Sequence, residues 1–378
     1  MKDGERYDAI VVGMGGMGSA ASAHLAERDL DVLGLERFGI PHSRGSSHGY
    51  SRIISRSFYE RPAYMSLYER ALDSWRELER VWGERRILHQ SGSITAGKPG
   101  TDVLERAMST CERFDLPYER LDATDASRRF PGYDLPADHE VVFQPDDGFL
   151  VPRYGVLAHV ALAHRRGAEI HAHLAVEDWR PTADGVAVTT DAGTVHADVL
   201  VIAAGPWTPA LLDVVRPIAT PERQVLARFQ PADPRRFEPE SFPVSAITAA
   251  DGQYSAFPIH GVPGVKVARV HHLHERVDPD EMTQTVTDRD EAVLRRFADA
   301  FLDGGSGPTM RLETCLYTNT PDERFVLDTH PDHPQVAFAT GFSGHGYKFC
   351  PVVGEILADL VVDGETEHDL APFRLDRF

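Results

Sequence analysis

Gly13-Met14-Gly15-Gly16-Met17-Gly18 is a G-x-G-x-x-G pattern that lies between a strand-like segment and a helix-like segment. The residues before it, 9–12, are apolar and mostly β-branched, as a strand buried on both faces requires. The residues after it, 19–26, are mostly small and compatible with a helix. A second strand-like segment at 32–35 ends at Glu36. Strand, glycine turn, helix, strand and acidic residue in this order predict a nucleotide-binding βαβ unit.

Each glycine of this pattern has a physical role in holding a dinucleotide. Gly13 permits a tight turn, Gly15 lets the backbone approach a pyrophosphate, and Gly18 lets the helix pack closely against the strand. The start of the helix supplies unpaired N–H groups for the phosphates, and Glu36 can accept hydrogen bonds from ribose hydroxyls. The pattern therefore predicts a bound dinucleotide, and its spacing alone does not choose between NAD and FAD.

The length and charge of the chain limit its organisation and its partners. Its 378 residues suit about two domains, and 42% hydrophobic with 26% charged residues is ordinary for a globular protein. A net charge of −19 argues against nucleic acid and anionic membrane surfaces as partners. No apolar run approaches the roughly 20 residues of a membrane span, and the first residues leave no room for a signal peptide. We therefore expect a cytoplasmic protein with no membrane partner.

Lysine is rare in this sequence. Only four of the 39 basic residues are lysines, namely Lys2, Lys98, Lys266 and Lys348. High genomic GC content and a salty cytoplasm both produce such a bias, and the sequence does not separate them. The scarcity makes each lysine a candidate for a specific role.

The cysteines and histidines predict neither a disulfide framework nor a metal site. Cys111, Cys315 and Cys350 are widely spaced, and Cys111 lies in a helix-like stretch where we expect it to be buried. The region 223–312 is expected to be rich in β-structure and contains His-His-Leu-His at 271–274. No carboxylate or cysteine completes a ligand set at metal-binding spacing, so we expect an exposed or pocket-lining tract.

Three further stretches have the composition of functional loops or nucleotide-binding turns. Residues 41–52 are polar, glycine-rich and basic. An apolar strand at 199–204 leads into Gly205-Pro206-Trp207, and another at 336–340 leads into the glycine-rich 341–348 and a helix from 351 to about 362. Glycines followed by a helix start form a second site favourable to anions. We expect one nucleotide domain built from separated segments, with the middle segments forming a second domain over it.

Together these segments resemble the monomeric sarcosine oxidase group of FAD-dependent amine oxidases, within the D-amino-acid-oxidase superfamily. N-methyltryptophan oxidase and pipecolate oxidase are relatives in that group. The resemblance covers essentially the whole chain, and its glycine-rich block near the C-terminus is the most diagnostic part. It rests on the segments 13–18, 47–54 (SHGYSRII), 315–318 (CLYT), 328–331 (DTHP) and 341–349 (GFSGHGYKF).

The resemblance implies a mixed α/β (α+β) fold with two domains. A discontinuous, Rossmann-like FAD-binding domain comprises residues 1–86, 143–219 and 322–378. A β-sheet-based substrate domain comprises residues 87–142 and 220–321, and its sheet covers the flavin. A monomer is the expected state.

FAD is the cofactor that the resemblance implies. The resemblance also implies that the 8α carbon of FAD is bonded to the sulfur of Cys315. The alternative is that Cys315 is a buried thiol with a packing role. Cys350 matches no family cysteine and is expected to pack. The resemblance also implies which other residues contact FAD. They are Gly13, Gly15, Gly18, Glu36, Arg37, Ser43, His48, Ser51, Arg52, Val176, Gly205, Trp207, Gly344, Gly346 and Lys348.

The implied activity is that of an oxidase of secondary amines or N-methyl amino acids, whose partners are a small-molecule amine and O₂. Flavin N5 would accept a hydride from the carbon next to the substrate nitrogen, water would hydrolyse the imine, and O₂ would be reduced to hydrogen peroxide. Positive charge near the reduced flavin and near O₂ would assist both half-reactions. The residues expected to carry this chemistry are Lys266 beside O₂, Lys348, Tyr317, His271 and Arg52.

Two other functions are alternatives. An amine dehydrogenase would keep the flavin but pass electrons to a protein or quinone acceptor. An RNA-modifying flavoprotein is disfavoured by the net charge of −19 and the absence of a basic stripe in the sequence.

The sequence departs from the family at the substrate pocket. In the family, the lysine of the glycine block and an arginine at the position of Ser55 together clamp a carboxylate. Here an arginine comes one residue later, at Arg56. A slip of one residue on a strand turns the side chain to the other face, so Arg56 is a doubtful replacement. Ser255 stands where the sarcosine enzyme has a pocket tyrosine, and Ala246 where it has a methionine. The pocket is therefore expected to be larger, and it suits a bulkier N-methyl or cyclic amine as well as sarcosine.

Overall fold

The computed structural model describes residues 2–56 and 62–378 of the chain. Over these residues the chain forms eight α-helices and twenty β-strands. The helices are α1 (Gly16–Glu27), α2 (Pro62–Trp82), α3 (Asp102–Arg113), α4 (Ala123–Arg129), α5 (Pro152–Arg165), α6 (Thr208–Leu211), α7 (Asp288–Phe301) and α8 (Cys350–Val362). Across these described residues, none of the helices combines the length and the apolar character that crossing a membrane requires.

The strands fall into two large sheets and one small sheet. They are β1 (Arg6–Val12), β2 (Val32–Glu36), β3 (Arg52–Ile54), β4 (Leu88–His89), β5 (Ser93–Gly97), β6 (Glu119–Asp122), β7 (Glu140–Gln144), β8 (Gly148–Leu150), β9 (Glu169–Ala172), β10 (Val176–Thr182), β11 (Gly185–Thr190), β12 (Gly193–Ile202), β13 (Thr220–Phe229), β14 (Val244–Ala249), β15 (Gly252–Phe257), β16 (Val265–Arg269), β17 (Glu275–Arg276), β18 (Thr309–Asn319), β19 (Val326–His330) and β20 (His333–Thr340).

The first large sheet is built around β1. Parallel strands run in the order β9-β2-β1-β12-β20, and β10, β11 and β19 add antiparallel pairings at the margin. Side chains of β1 alternate between two buried cores, with Ala9 and Val11 in the core that contains α1 and α8, and Ile10 and Val12 in the other. Burial on both faces explains why residues 9–12 are all apolar.

The second large sheet is mainly antiparallel and runs in the order β17-β13-β16-β15-β14-β5-β7-β6. Strand β18 pairs with β13 along its whole length, from Thr220 opposite Asn319 to Phe229 opposite Thr309. Helix α7 covers this sheet, and Phe297 of α7 stacks on Tyr254 of β15 with ring centroids 4.5 Å apart. The small sheet has the order β3-β8-β4. The mixed α/β fold expected from the sequence is confirmed.

The expected division into two domains follows the two large sheets closely and stays a prediction. Strands β13–β18 fall within 220–321, and β19 and β20 fall within 322–378. The expected boundary between residues 142 and 143 lies inside β7, all five residues of which pair with β5 in the second sheet. The β-rich region expected at 223–312 contains one helix, α7, because a capping box of Thr287 and Asp290 starts an amphipathic segment there.

Candidate active site

The first glycine turn joins β1 to α1 and is closely packed. Gly13 has a φ of +90°, and a Cβ added there would lie 2.6 Å from the carbonyl oxygen of Ala203, at the end of β12. A Cβ at Gly18 would overlap the carbonyl oxygen of Gly13. Gly15 directly precedes α1 as its N-cap. The start of α1, with its unpaired N–H groups, is therefore held next to the ends of β1 and β12.

Glu36 fixes the other side of this turn. Its buried carboxylate accepts hydrogen bonds from the backbone N–H of Met14 and of Phe38, both at 2.9 Å. These bonds anchor an ionisable acceptor at the end of β2, in the wall of a cavity. The expected contact with a ribose hydroxyl stays a prediction.

The second glycine turn joins β20 to α8. Gly341 and Gly344 have φ values of +68° and +81°, which favour glycine, and a Cβ at Gly344 would overlap the ring of Tyr317. A short 3₁₀ helix, Tyr347–Phe349, then leads into α8. Lys348 lies in this 3₁₀ helix and is buried.

The N-termini of α1 and α8 lie side by side. A Cβ added at Gly16 would overlap Sγ of Cys350, the first residue of α8. The N–H of Gly16 donates to Oγ of Ser47 at 3.0 Å, so the loop at 41–52 also reaches this point. Two helix N-termini in one place create a positive potential that favours phosphate groups.

A single cavity of about 970 Å³ connects both glycine turns with the second sheet. Most residues that the sequence marked as site residues line it. These are Gly13, Gly15, Glu36, Arg37, Arg52, Val176, Gly205, Trp207, Lys266, His271, Cys315, Tyr317, Gly344, Gly346 and Lys348.

Four expected site residues do not line the cavity. Gly18 lies within α1 against the turn, and Ser43 is exposed. His48 is buried behind the wall, where burial lowers its pKa to about 3. Ser51 is also buried and supports Lys266 from behind.

Lys266 is a buried cation in the wall formed by β16. Its Nζ donates to the backbone oxygen of Ser51 at 2.9 Å and to Oγ of Ser51 at 3.3 Å, and lies 3.9 Å from the ring centroid of Phe257. Burial, with the neighbouring charges of Arg52 and Arg228, holds the pKa of Lys266 well below that of an exposed lysine. Its protonation will therefore respond to any negative charge that enters the cavity.

Arg52 joins the loop at 41–52 to the thiol of Cys315. The guanidinium donates to the backbone oxygens of Ser51 at 2.9 Å and Ser46 at 3.0 Å, and its Nη2 lies 3.7 Å from Sγ of Cys315. Cys315 lies on β18 opposite Gln224 of β13, and its side chain is in the cavity wall. A fixed positive charge therefore lies beside this thiol.

The charges of Lys348 and Arg56 both act on the buried carboxyl of Asp147, but Lys348 lines the cavity and Arg56 does not. Burial lowers the pKa of Lys348 to about 7, and the carboxyl of Asp147 opposes this shift. Arg56 instead lies 3.4 Å from the carboxylate of Glu69 and 3.7 Å from that of Asp146, outside the cavity wall. The side chain of Arg56 therefore does not occupy the position of a clamp beside Lys348.

His271 and Tyr317 lie together in the cavity wall. The rings meet edge to face with centroids 6.0 Å apart. The Nδ1 atom of His271 lies 3.0 Å from Oε1 of Glu222, and this hydrogen bond raises the pKa of His271. Burial alone would raise the pKa of Glu222, but its hydrogen bonds with His271 and Gln224 lower it overall.

Comparison with known proteins identifies this architecture. Residues 8–360 match the family described as FAD dependent oxidoreductase. The chain belongs to the FAD-dependent oxidoreductase family. It is an oxidoreductase with FAD as its cofactor.

Several relatives of this FAD-dependent oxidoreductase match over nearly their whole length. Monomeric sarcosine oxidase of Streptomyces avermitilis is 41% identical over 372 residues, covering 97% of this chain and 96% of that protein. N-methyl-L-tryptophan oxidase of Escherichia coli O139:H28 is 34% identical, covering 99% of this chain and 100% of that protein. The solved open form of NikD, an unusual amino acid oxidase, is 28% identical with a TM-score of 0.84, covering 98% and 97%. Recognition of the sarcosine oxidase group from the sequence is confirmed.

The cavity residues fit FAD. The turns at Gly13 and Gly344 have no space for a Cβ, and both lead into helix starts that can receive phosphates. Asp280 also lines the cavity, and it accepts a hydrogen bond from Nε1 of Trp207 at 2.7 Å and one from Arg37 at 2.5 Å. In the FAD-dependent oxidoreductase the two glycine turns would hold the diphosphate, which is the middle of the dinucleotide.

The sequence analysis missed several residues of the site. Ser47 holds the start of α1, and only its place in the polar loop at 41–52 was a signal for it. Glu222 and Gln224 of β13 lie beside His271, but a β-strand pattern does not show which side chains meet across strands. Arg228 is a buried arginine directly opposite Lys266 in the second sheet, and no pattern in the sequence indicated it.

Proposed function

We propose that the protein is an oxidase of secondary amines, including N-methyl amino acids, with FAD bound covalently through Cys315 and O₂ as electron acceptor. Bound FAD supplies hydride acceptance from the carbon next to the substrate nitrogen and transfer of both electrons to O₂, giving an imine and hydrogen peroxide. The imine is hydrolysed by water. The observation that carries the proposal is the grouping of Cys315, Arg52 and Lys266 in the wall of the cavity that both glycine turns enter.

Cys315 is the residue that we propose for covalent attachment. Its thiol lies in the cavity wall, and the guanidinium of Arg52 lies 3.7 Å from Sγ. Cys111 and Cys350 are also buried, but neither of them lines the cavity, and burial raises both of their pKa values. Forming the thioether removes two electrons and two protons from the thiol and the 8α methyl group, and O₂ takes them up.

Lys266 supports O₂ as the acceptor. Negative charge develops on O₂ as it is reduced. A buried ammonium group stabilises this negative charge far better than a positive charge that water screens. Because burial lowers the pKa of Lys266, arriving negative charge favours its protonated form. Arg52 and Arg228 keep the potential around it positive.

The substrate pocket supports an amine larger than sarcosine. Ala246 and Ser255, which replace larger side chains of the sarcosine enzyme, both line the cavity. Lys348 supplies positive charge for a substrate carboxylate, while Arg56 is paired with Glu69 at the surface. Loss of one of two carboxylate-binding cations relaxes the requirement for a small N-methyl amino acid.

The covalent bond is tested by denaturing gel electrophoresis under ultraviolet light. Flavin fluorescence should travel with the wild-type chain and be lost in Cys315→Ser. Cys111→Ser, which changes a buried thiol of α3 that does not line the cavity, is the matched control and should keep the fluorescence. A fluorescent Cys315→Ser chain would contradict attachment at this residue.

The activity is tested by hydrogen peroxide release with a panel of N-methyl and cyclic amino acids. At least one secondary amine of the panel should bleach the flavin anaerobically and release peroxide in air. No bleaching by any amine would refute the proposed function, and bleaching without peroxide would refute O₂ as acceptor.

A further inference from the structure

The fold completes a potential metal-ligand set that the sequence does not reveal. The turn after β16 carries His271 and His274, and β13 brings Glu222 to them from 49 residues earlier in the chain. One ligand atom from each of the three residues lies within 4.8 Å of the others. Two imidazole nitrogens and one carboxylate oxygen are a donor set typical of zinc and neighbouring d-block ions.

The carboxylate of this set is held in place by amide groups. Nε2 of Gln224 donates to Oε1 of Glu222 at 2.6 Å, and Nδ2 of Asn319 donates to Oε2 at 2.9 Å. Glu222 is buried in the sheet, so its position depends on these bonds rather than on solvent. Hydrogen bonds that orient a ligating group strengthen metal sites.

The two histidines are also held in a fixed arrangement. His271 and His274 both have φ values in the left-handed region, at +54° and +55°, which is uncommon for residues other than glycine. The N–H of His274 donates to the carbonyl oxygen of His271 at 2.9 Å, and the two rings stack with centroids 5.7 Å apart. The turn thus presents both imidazoles on the same side, next to Glu222.

We propose that Glu222, His271 and His274 bind one divalent d-block ion such as Zn²⁺, Co²⁺ or Ni²⁺ at the entrance to the cavity. His274 is exposed, so the outer coordination position is open to water, whereas His271 lies in the cavity wall beside Tyr317. The ion replaces the proton that His271 and Glu222 share. A bound ion at this position restricts the path of the amine past Tyr317 and raises the apparent KM.

The test is equilibrium dialysis of the FAD-loaded protein against Zn²⁺ at concentrations on the order of micromolar, with bound zinc measured by elemental analysis. His274→Asn removes an exposed ligand and keeps a residue that tolerates a positive φ. His368→Asn changes a second group among the described residues that could hold an ion, Glu355, Glu367 and His368, and is the matched control. Zn²⁺ affinity should fall at least about 10-fold in His274→Asn and stay unchanged at this site in His368→Asn.

Two outcomes would overturn the proposal. One is wild-type protein that retains no zinc, and the other is His274→Asn protein that binds zinc as tightly as wild type. A kinetic arm tests the position of the ion, since Zn²⁺ should raise KM for the amine in wild type and in His368→Asn but not in His274→Asn. Equal inhibition of all three proteins would contradict a site at the entrance. Because zinc binding is measured without turnover, its failure would leave the proposed oxidase activity untouched.

Discussion

Lys266 is the single residue whose replacement best separates the two half-reactions. Its ammonium lies in the cavity wall, where two oxygens of Ser51 fix it and the ring of Phe257 packs against it. Lys266→Met should lower the rate constant of the reduced protein with O₂ about 1,000-fold, equivalent to roughly 4 kcal/mol of lost charge stabilisation. Anaerobic reduction by the amine should fall less than about 10-fold. Stopped-flow absorbance measures both steps.

The control for this residue is Lys98→Met. Lys98 is exposed and pairs with Asp138 at 2.9 Å on the surface, so both rate constants should keep their wild-type values. An unchanged O₂ rate in Lys266→Met would favour the dehydrogenase reading, in which a different acceptor reoxidises the protein.

At the scale of single residues, the sequence predicts what depends on the local backbone. Gly13 and Gly344 could be predicted from the local glycine-rich motifs, and both have a positive φ. The groups that exclude a Cβ there, the carbonyl oxygen of Ala203 and the ring of Tyr317, come from distant parts of the chain. That Arg56 is a doubtful replacement for the clamp arginine also follows from local sequence, and the side chain of Arg56 points to Glu69. Glu222 could not be predicted, because its partner His271 lies in the turn after β16, 49 residues later in the chain.

Among the elements, α1 and α8 form the most tightly constrained pair. A methyl group at Gly16 would overlap Sγ of Cys350, so Gly16→Ala should lower both FAD content and Tm. Adding Cys350→Ala removes the sulfur and should restore part of both losses. In a double-mutant cycle, the coupling free energy between the two substitutions should be about 0.5–3 kcal/mol. Adding Cys111→Ala instead should restore nothing. Equal loss in both double variants would mean that α8 does not limit the turn.

The start of helix α7 could be predicted from the sequence, but the interaction that attaches this helix to the second sheet could not. The capping box of Thr287 and Asp290 was visible as a local pattern before an amphipathic run. The ion pair of Asp290 with Arg223, at 3.0 Å, was not visible, because it joins α7 to β13 across 67 residues. His272 completes this buried group, with Nε2 at 3.0 Å from Oδ1 of Asp290.

Removing one partner of that group should destabilise the second domain. Burial opposes ionisation of Asp290, but hydrogen bonds from Arg223 and Thr287 lower its pKa, so the carboxylate is charged in the fold. Asp290→Asn would leave Arg223 buried with a weakened partner set and should cost about 3 kcal/mol of unfolding free energy. Asp288→Asn, an exposed change in the same helical turn, should cost less than about 1 kcal/mol. Urea unfolding followed by circular dichroism measures both.

For the molecule as a whole, two buried histidines should make stability fall in mild acid. His48 and His159 are both buried, and burial lowers the pKa of each to about 3. The unfolded chain, with a histidine pKa near 6.5, therefore binds more protons than the folded chain below pH 6.5. Unfolding free energy should decrease as the pH falls from about 6.5 toward 4, by up to roughly 1.4 kcal/mol per pH unit for each histidine.

His159 allows this slope to be tested away from the cavity. It packs against Trp75 with ring centroids 5.6 Å apart and is buried, so the aromatic ring of Phe can replace it. His159→Phe should remove one proton from the difference in proton binding between the unfolded and folded states. The variant should therefore become more stable relative to wild type as the pH falls from 6.5 to 5. His173→Asn, at an exposed position with a positive φ, should keep the wild-type slope. Urea midpoints of the flavin-loaded proteins across this pH range measure the pH dependence of stability. If His159→Phe and wild type lose stability equally as the pH falls, groups other than His159 take up the protons.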